Sequence, residues 1–223
     1  MLPPEPDPGA GATAKRAQGG GAVGWGLAQG VPPFRGWTKP AAVMAHLAPC
    51  VEGWAVLLIR RPSYLREHAG QVALPGGRFD PALDPDLWHT AVRESEEEVG
   101  LRVEPDQRLG YLDPIFIPAS GYTVLPCVAA WPTRPQPRPQ PAEVADWAWA
   151  PLAELRAVEH WVWRRETWVP EYPLAWARVW GATARILRQL LAAEPAKEAE
   201  GSAGGGAGRP QRNGQEPSRL HGG

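Results

Sequence analysis

Four carboxylates crowd into five residues, Glu94, Glu96, Glu97 and Glu98, and they sit where a helix tolerates them least. The apolar spacing that begins at Leu87 predicts a helix running to about Val99, with Gly100 as its C-terminal cap. The acids then occupy its last turns, where the macrodipole is already negative. Glu94 and Glu98 add a like-charge i,i+4 pair, which costs roughly 0.2–0.5 kcal/mol. Selection for helix stability alone does not produce this arrangement, whereas a bound divalent cation turns the repulsion into ligation. Helical spacing places Glu94, Glu97 and Glu98 on one face and turns Glu96 away. Arg93, four residues before Glu97, is placed to pair with it and orient its carboxylate.

The flanking sequence predicts a sheet for this helix to cover. Residues 41–47 read as a short strand. Residues 54–61, WAVLLIRR, form a nearly continuous apolar run, as in a strand buried on both faces. GQVALPGG gives another short strand ending at Gly76 and Gly77. Asp84 is placed to N-cap the acidic helix, with Pro85 at its first position. RLGYLDPIFI and YTVLPCVAAW read as two further strands. The run PTRPQPRPQP at 132–141 reads as a stiff polyproline-like connector outside the core. A tryptophan-rich strand, a short helix and a hairpin-like edge follow. Residues 176–193 then predict a second amphipathic helix, with Gly181 inside it at a cost of about 1 kcal/mol relative to alanine. A mixed sheet with a long helix on each side is an α/β/α sandwich, within the α/β class.

Composition sets the limits of that domain. Residues 1–30 and 195–223 are rich in glycine, alanine and proline and are expected to stay disordered, which leaves a single domain over residues 31–194. The formal net charge of −1 provides no basic field, so no nucleic-acid partner is expected. No apolar run reaches membrane-spanning length, so no membrane partner is expected either. Lys15 and Arg16 are followed by no apolar stretch, and the two cysteines, Cys50 and Cys127, lack metal-ligand spacing. Both features predict a cytoplasmic protein with reduced thiols.

Three carboxylates on one helix face suit a hard cation with oxygen ligands, Mg2+ or Mn2+. Gly76 and Gly77 permit a special turn or a close backbone approach. Metal, glycine loop and nearby arginines together point to a phosphate ester as substrate. The stretch resembles the Nudix box, usually G-x5-E-x7-R-E-U-x-E-E-x-G-U with U apolar. Arg93, Glu94, Glu97, Glu98, Gly100 and Leu101 match it position by position. Ser95 stands where an aliphatic residue is usual, the spacing from Gly77 to Arg93 is longer, and Asp84 stands near the place of the first glutamate.

A second resemblance lies upstream. LLIRRPSYLREHAGQVALPGG, residues 57–77, is similar to the signature of the coenzyme A diphosphatase branch, with Arg61, Arg66, Gly70, Pro75, Gly76 and Gly77 matching. Together the resemblances span residues 41–192 and imply a Nudix-type sandwich that hydrolyses a phosphoanhydride with Mg2+ or Mn2+. They imply Glu94, Glu97 and Glu98 as metal ligands, and Glu97 or Glu98 as base beside Arg93. For coenzyme A or its derivatives the products are 3′,5′-ADP and 4′-phosphopantetheine. Arg61, Arg66 and Arg78, with Gly76 and Gly77, are the implied substrate contacts. Strand alternation allows only one of Arg60 and Arg61 to reach the site. Another nucleotide such as ADP-ribose or a dinucleotide, or a non-catalytic nucleotide sensor, is the competing expectation. The sequence leaves a homodimer possible.

Overall fold

The computed structural model describes Pro4 and residues 24–64 and 68–195. The disorder expected of residues 1–3, 5–23 and 196–223 therefore concerns positions outside the described residues. Along the described chain run β1 (Lys39–Cys50), β2 (Gly53–Arg60), β3 (Val72–Ala73), β4 (Gly76–Arg78), α1 (Leu87–Val99), β5 (Arg108–Tyr111), β6 (Ile115–Ile117) and β7 (Tyr122–Ala130). Then follow β8 (Asp146–Pro151), α2 (Leu152–Val158), β9 (His160–Arg164), β10 (Thr167–Pro173), β11 (Arg178–Val179) and α3 (Gly181–Ala193). The main sheet runs β3-β2-β1-β7-β5, with β4 on β1, β6 on β7 and β8 on β2. β1 and β7 are parallel, and the other pairs are antiparallel. β9, β10 and β11 make a separate three-stranded sheet.

Alternation along the inner strands feeds three apolar clusters. Ala45, Leu47, Val56 and Leu58 pack with Ile186, Leu187 and Leu190 of α3 and with Leu152 and Leu155 of α2. Ala42 and Met44 pack on the other face with Leu87, Trp88 and Ala91 of α1. Leu57 and Ile59 meet Val99 and Leu101 at the end of α1. The expected α/β/α sandwich with its mixed sheet is therefore the architecture. Leu57, Leu58 and Ile59 are fully buried, each worth about 1.5–3 kcal/mol of apolar burial.

Several boundaries differ from the sequence expectation. β1 is longer than 41–47, because its parallel register with β7 starts at Lys39↔Tyr122 and its antiparallel register with β2 runs on to Cys50↔Gly53. RLGYLDPIFI divides into β5 and β6, both paired with β7. The terminal helix starts at Gly181, and Arg178–Val179 is a strand instead. Gly181 has φ +69 and open space where a Cβ would stand, so backbone conformation and not close packing accounts for it. Residues 24–29, placed by the sequence in the disordered N-terminal stretch, pack on the domain. Leu27 is buried, Ala28 bridges Tyr111, and Trp25 meets Trp54 edge-on. Among the described residues no helix is long and apolar enough to cross a membrane.

Candidate active site

α1 begins one short step later than its sequence suggests. Asp86, not Asp84, is the N-cap, and its carboxylate accepts from the His89 N–H at 2.9 Å. Asp84 is freed for another partner. Its two oxygens accept from Arg93 Nε at 2.9 Å and Nη2 at 3.0 Å. The Thr90 hydroxyl and the Asp80 N–H also donate to Asp84. Burial alone would raise the Asp84 carboxyl, but these donors hold it below its ordinary value. Arg93 spends its remaining Nη1 on Glu94 at 2.8 Å and Glu97 at 3.2 Å. The guanidinium thus links Asp84 to Glu94, the next residue, and to Glu97, one helical turn on.

Glu94 and Glu98 face the glycine pair. β4 places Gly77 so close to Glu94 that a Cβ there would overlap its carboxylate. Gly76, at φ +155, lies against the backbone of Ala42 and Val43 on β1, where a Cβ has no room. Its N–H donates to Glu98 Oε2 at 2.9 Å. Arg61 Nη1 stands 3.5 Å from Glu98 Oε1. Burial drives the Glu98 carboxyl up to about 8, against the opposing pull of Gly76 and Arg61. Burial likewise raises Glu94, with Arg93 opposing. Glu97 is turned to Arg93 on the solvent side, and Glu96 is exposed, as helical spacing predicts.

The proline-rich connector does more than span a gap. The N–H groups of Arg138 and Gln140 donate to the carbonyls of Val99 and Glu98 at 2.7 and 2.8 Å. Gly100, at φ +66, donates to Glu96, and the helix end is thereby satisfied. These donors offset the negative helix terminus on which the acids sit. The connector also delivers Glu143, whose charge raises both Glu94 and Glu98. Glu143 is not among the residues singled out from sequence, because a lone loop glutamate carries no spacing signal.

Ser95, the departure from an aliphatic residue, is buried beside His46 of β1. Their Oγ and Nε2 lie 2.6 Å apart, and Trp131 Nε1 donates to His46 Nδ1 at 3.1 Å. Ser95 Oγ donates in turn to the Leu101 carbonyl at 3.0 Å.

The remaining sequence candidates separate. Arg61 reaches the acids while Arg60 pairs with Asp146 on β8 at 2.9 Å, as alternation requires. Arg78 is exposed on β4, and its carbonyl lies 3.5 Å from Arg93 Nη2. Arg66 lies outside the described residues. Among the described residues, no three His, Cys, Asp or Glu side chains are gathered around one point. The donor set nevertheless fits a hard divalent cation. Glu94 and Glu98 are two desolvated carboxylates, each raised first by burial, with Glu94's charge adding to the rise at Glu98, and an oxygen-seeking cation relieves that strain.

A mixed sandwich with this acidic helix and glycine pair defines a class of phosphoanhydride hydrolases. The NUDIX domain profile matches residues 38–172, and the chain belongs to the Nudix hydrolase family. It is 40% identical over 159 residues to the Nudix hydrolase NudL of Photorhabdus laumondii, covering 68% of this chain and 83% of the relative. It is 38% identical over 156 residues to NudL of Yersinia enterocolitica, covering 67% and 78%. Among solved structures, a MutT/nudix family protein from Enterococcus faecalis superposes with a TM-score of 0.51 at 15% identity, over 73% of this chain and 63% of that one.

Proposed function

We propose that this Nudix hydrolase cleaves the diphosphate of coenzyme A or its derivatives with Mg2+ or Mn2+, giving 3′,5′-ADP and 4′-phosphopantetheine. The observation that carries the reading is the convergence of Glu94 and Glu98 on the Gly76–Gly77 backbone, with Arg61 beside them. Glu94, Glu97 and Glu98 hold the cation. When bound, it neutralises the diphosphate oxygens and acidifies a water.

The protein's own groups do the rest. The Asp84–Arg93 pair holds the guanidinium that positions Glu94 and Glu97. Gly76 N–H fixes one oxygen of Glu98. Glu98, or Glu97 on the solvent side of Arg93, takes the proton of the attacking water. Arg61, Arg66 and Arg78 supply cations for the substrate's phosphates, including the 3′-phosphate. A reducing cytoplasm suits the free thiols of Cys50 and Cys127.

A hydrolysis panel tests the reading. Coenzyme A, its 3′-dephospho form, ADP-ribose and a diadenosine polyphosphate are incubated with Mg2+ or Mn2+, and products are identified by mass. Coenzyme A is expected to have the highest kcat/KM. A preference for the dephospho form or for ADP-ribose contradicts the substrate assignment.

A further inference from the structure

We infer that His46, acting through Ser95, is a positioning residue that fixes α1 on β1 and thereby sets Glu94 and Glu98 opposite the glycine pair. The inference rests on the reading of those two glutamates as metal ligands.

The hydrogen positions follow from donor chemistry. An indole nitrogen only donates, so His46 Nδ1 must accept from Trp131 at 3.1 Å. The neutral ring then carries its proton on Nε2 and donates to Ser95 Oγ at 2.6 Å. The Ser95 hydroxyl, already accepting, donates to the Leu101 carbonyl at 3.0 Å. Burial pulls His46 down to about 3, so the ring stays neutral at working pH and the relay keeps one direction.

Trp131 is itself pinned to β1 by its N–H on the Leu47 carbonyl at 2.8 Å. The chain of donors therefore closes on the strand from which it starts.

β1 holds the other half of the site as well. Ala42 and Val43 pair with Gly77 and Gly76, and the Met44 N–H donates to the Pro75 carbonyl at 2.7 Å. Three to four residues along the same strand, His46 grips Ser95. Ser95 directly follows Glu94 and precedes Glu98 by three. One stretch of strand, from Ala42 to His46, thus sets the distance between the carboxylates and the backbone they face. An aliphatic residue at 95 packs against the sheet without direction. The hydroxyl adds a directional bond that fixes helix rotation. Displacements near 1 Å at such sites are costly for chemistry.

The decisive comparison is His46→Leu against His46→Gln in the full chain. Glutamine keeps an N–H at the Nε2 position, while leucine fills the space and removes it. Mn2+ affinity is measured by electron paramagnetic resonance, and the wild-type His46 tautomer by 15N NMR of the ring. We expect the Nε2–H tautomer, near wild-type Mn2+ affinity in His46→Gln, and about a tenfold loss in His46→Leu, the low end for removing an outer-shell partner. A purely structural role predicts the opposite order, with leucine at least as good as glutamine. Wild-type Mn2+ binding with an unchanged His46→Leu variant, or an Nδ1–H tautomer, overturns this inference alone. Absence of Mn2+ binding by the wild type overturns the metal-site reading and this inference with it.

Discussion

Arg93 and Asp84 meet as a two-pronged pair, Nε on Oδ1 at 2.9 Å and Nη2 on Oδ2 at 3.0 Å, with the Asp84 side chain 1% exposed. The pair joins the loop before α1 to the helix turn that carries the acids. It also explains why an aspartate here serves the site without facing the glycine pair. The buried Asp84 carboxylate holds the guanidinium that contacts Glu94 and Glu97.

Breaking that pair should be expensive. Asp84→Asn leaves Arg93 without its main counter-charge, and loss of one partner of a buried pair costs about 3 kcal/mol. Urea unfolding of the variant should show this loss. Turnover should fall as well, since Glu94 and Glu97 lose the guanidinium's fixed position.

Gly77→Ala separates site geometry from stability. The added methyl overlaps the Glu94 carboxylate and must push it aside. Gly76→Ala instead strikes the β1 backbone at φ +155 and strains the sheet. The first variant is expected to melt near the wild-type temperature with strongly reduced kcat, and the second to lose melting temperature as well. Thermal melts paired with steady-state kinetics check both.

Glu98 predicts a pH dependence of known sign. Its carboxyl is raised from 4.5 to about 8 in the folded protein. Between these values the native state binds the extra proton, so stability of the metal-free protein falls as pH rises through that window. Glu98→Gln should flatten the fall. Cation binding needs the ionised form and therefore releases a proton, so Mn2+ affinity should rise with pH up to about 8. Calorimetric titrations in buffers of different ionisation enthalpy measure that proton.

Glu143 contributes to the same shift from outside the helix. Its charge raises both Glu94 and Glu98. Glu143→Gln should move the midpoint of the Mn2+ affinity profile to lower pH, and an unmoved midpoint would show that the two charges do not communicate.

How much of this was legible depends on how local each contact is. Helical spacing relates Glu94 to Glu98, and those two meet the glycine pair. It also groups Glu97 with them, but Glu97 lies exposed beside Arg93, because its side chain follows the guanidinium and not the helix face. Gly100 as cap was readable from its place after Val99. The helix start is ambiguous in the sequence because Asp84 and Asp86 both suit an N-cap, and only the tertiary pairing of Asp84 with Arg93 decides between them. Contacts between distant segments leave little trace in the chain: His46 and Ser95 are separated by 49 positions. The capping by Arg138 and Gln140 uses backbone N–H groups, which have no residue signature at all. Trp25 and Leu27 fold because β5 and α3 offer them a surface, which their glycine-rich surroundings do not advertise.

Mass-resolved hydrolysis of coenzyme A by the wild type and by Glu98→Gln, at equal Mn2+, bears on the proposed chemistry without intermediaries. The wild type should release 3′,5′-ADP and 4′-phosphopantetheine, and kcat in the variant should be lower by about 100-fold or more. Equal turnover by the folded variant, or products from any bond other than the diphosphate, would contradict the assignment of Glu98 and of the reaction.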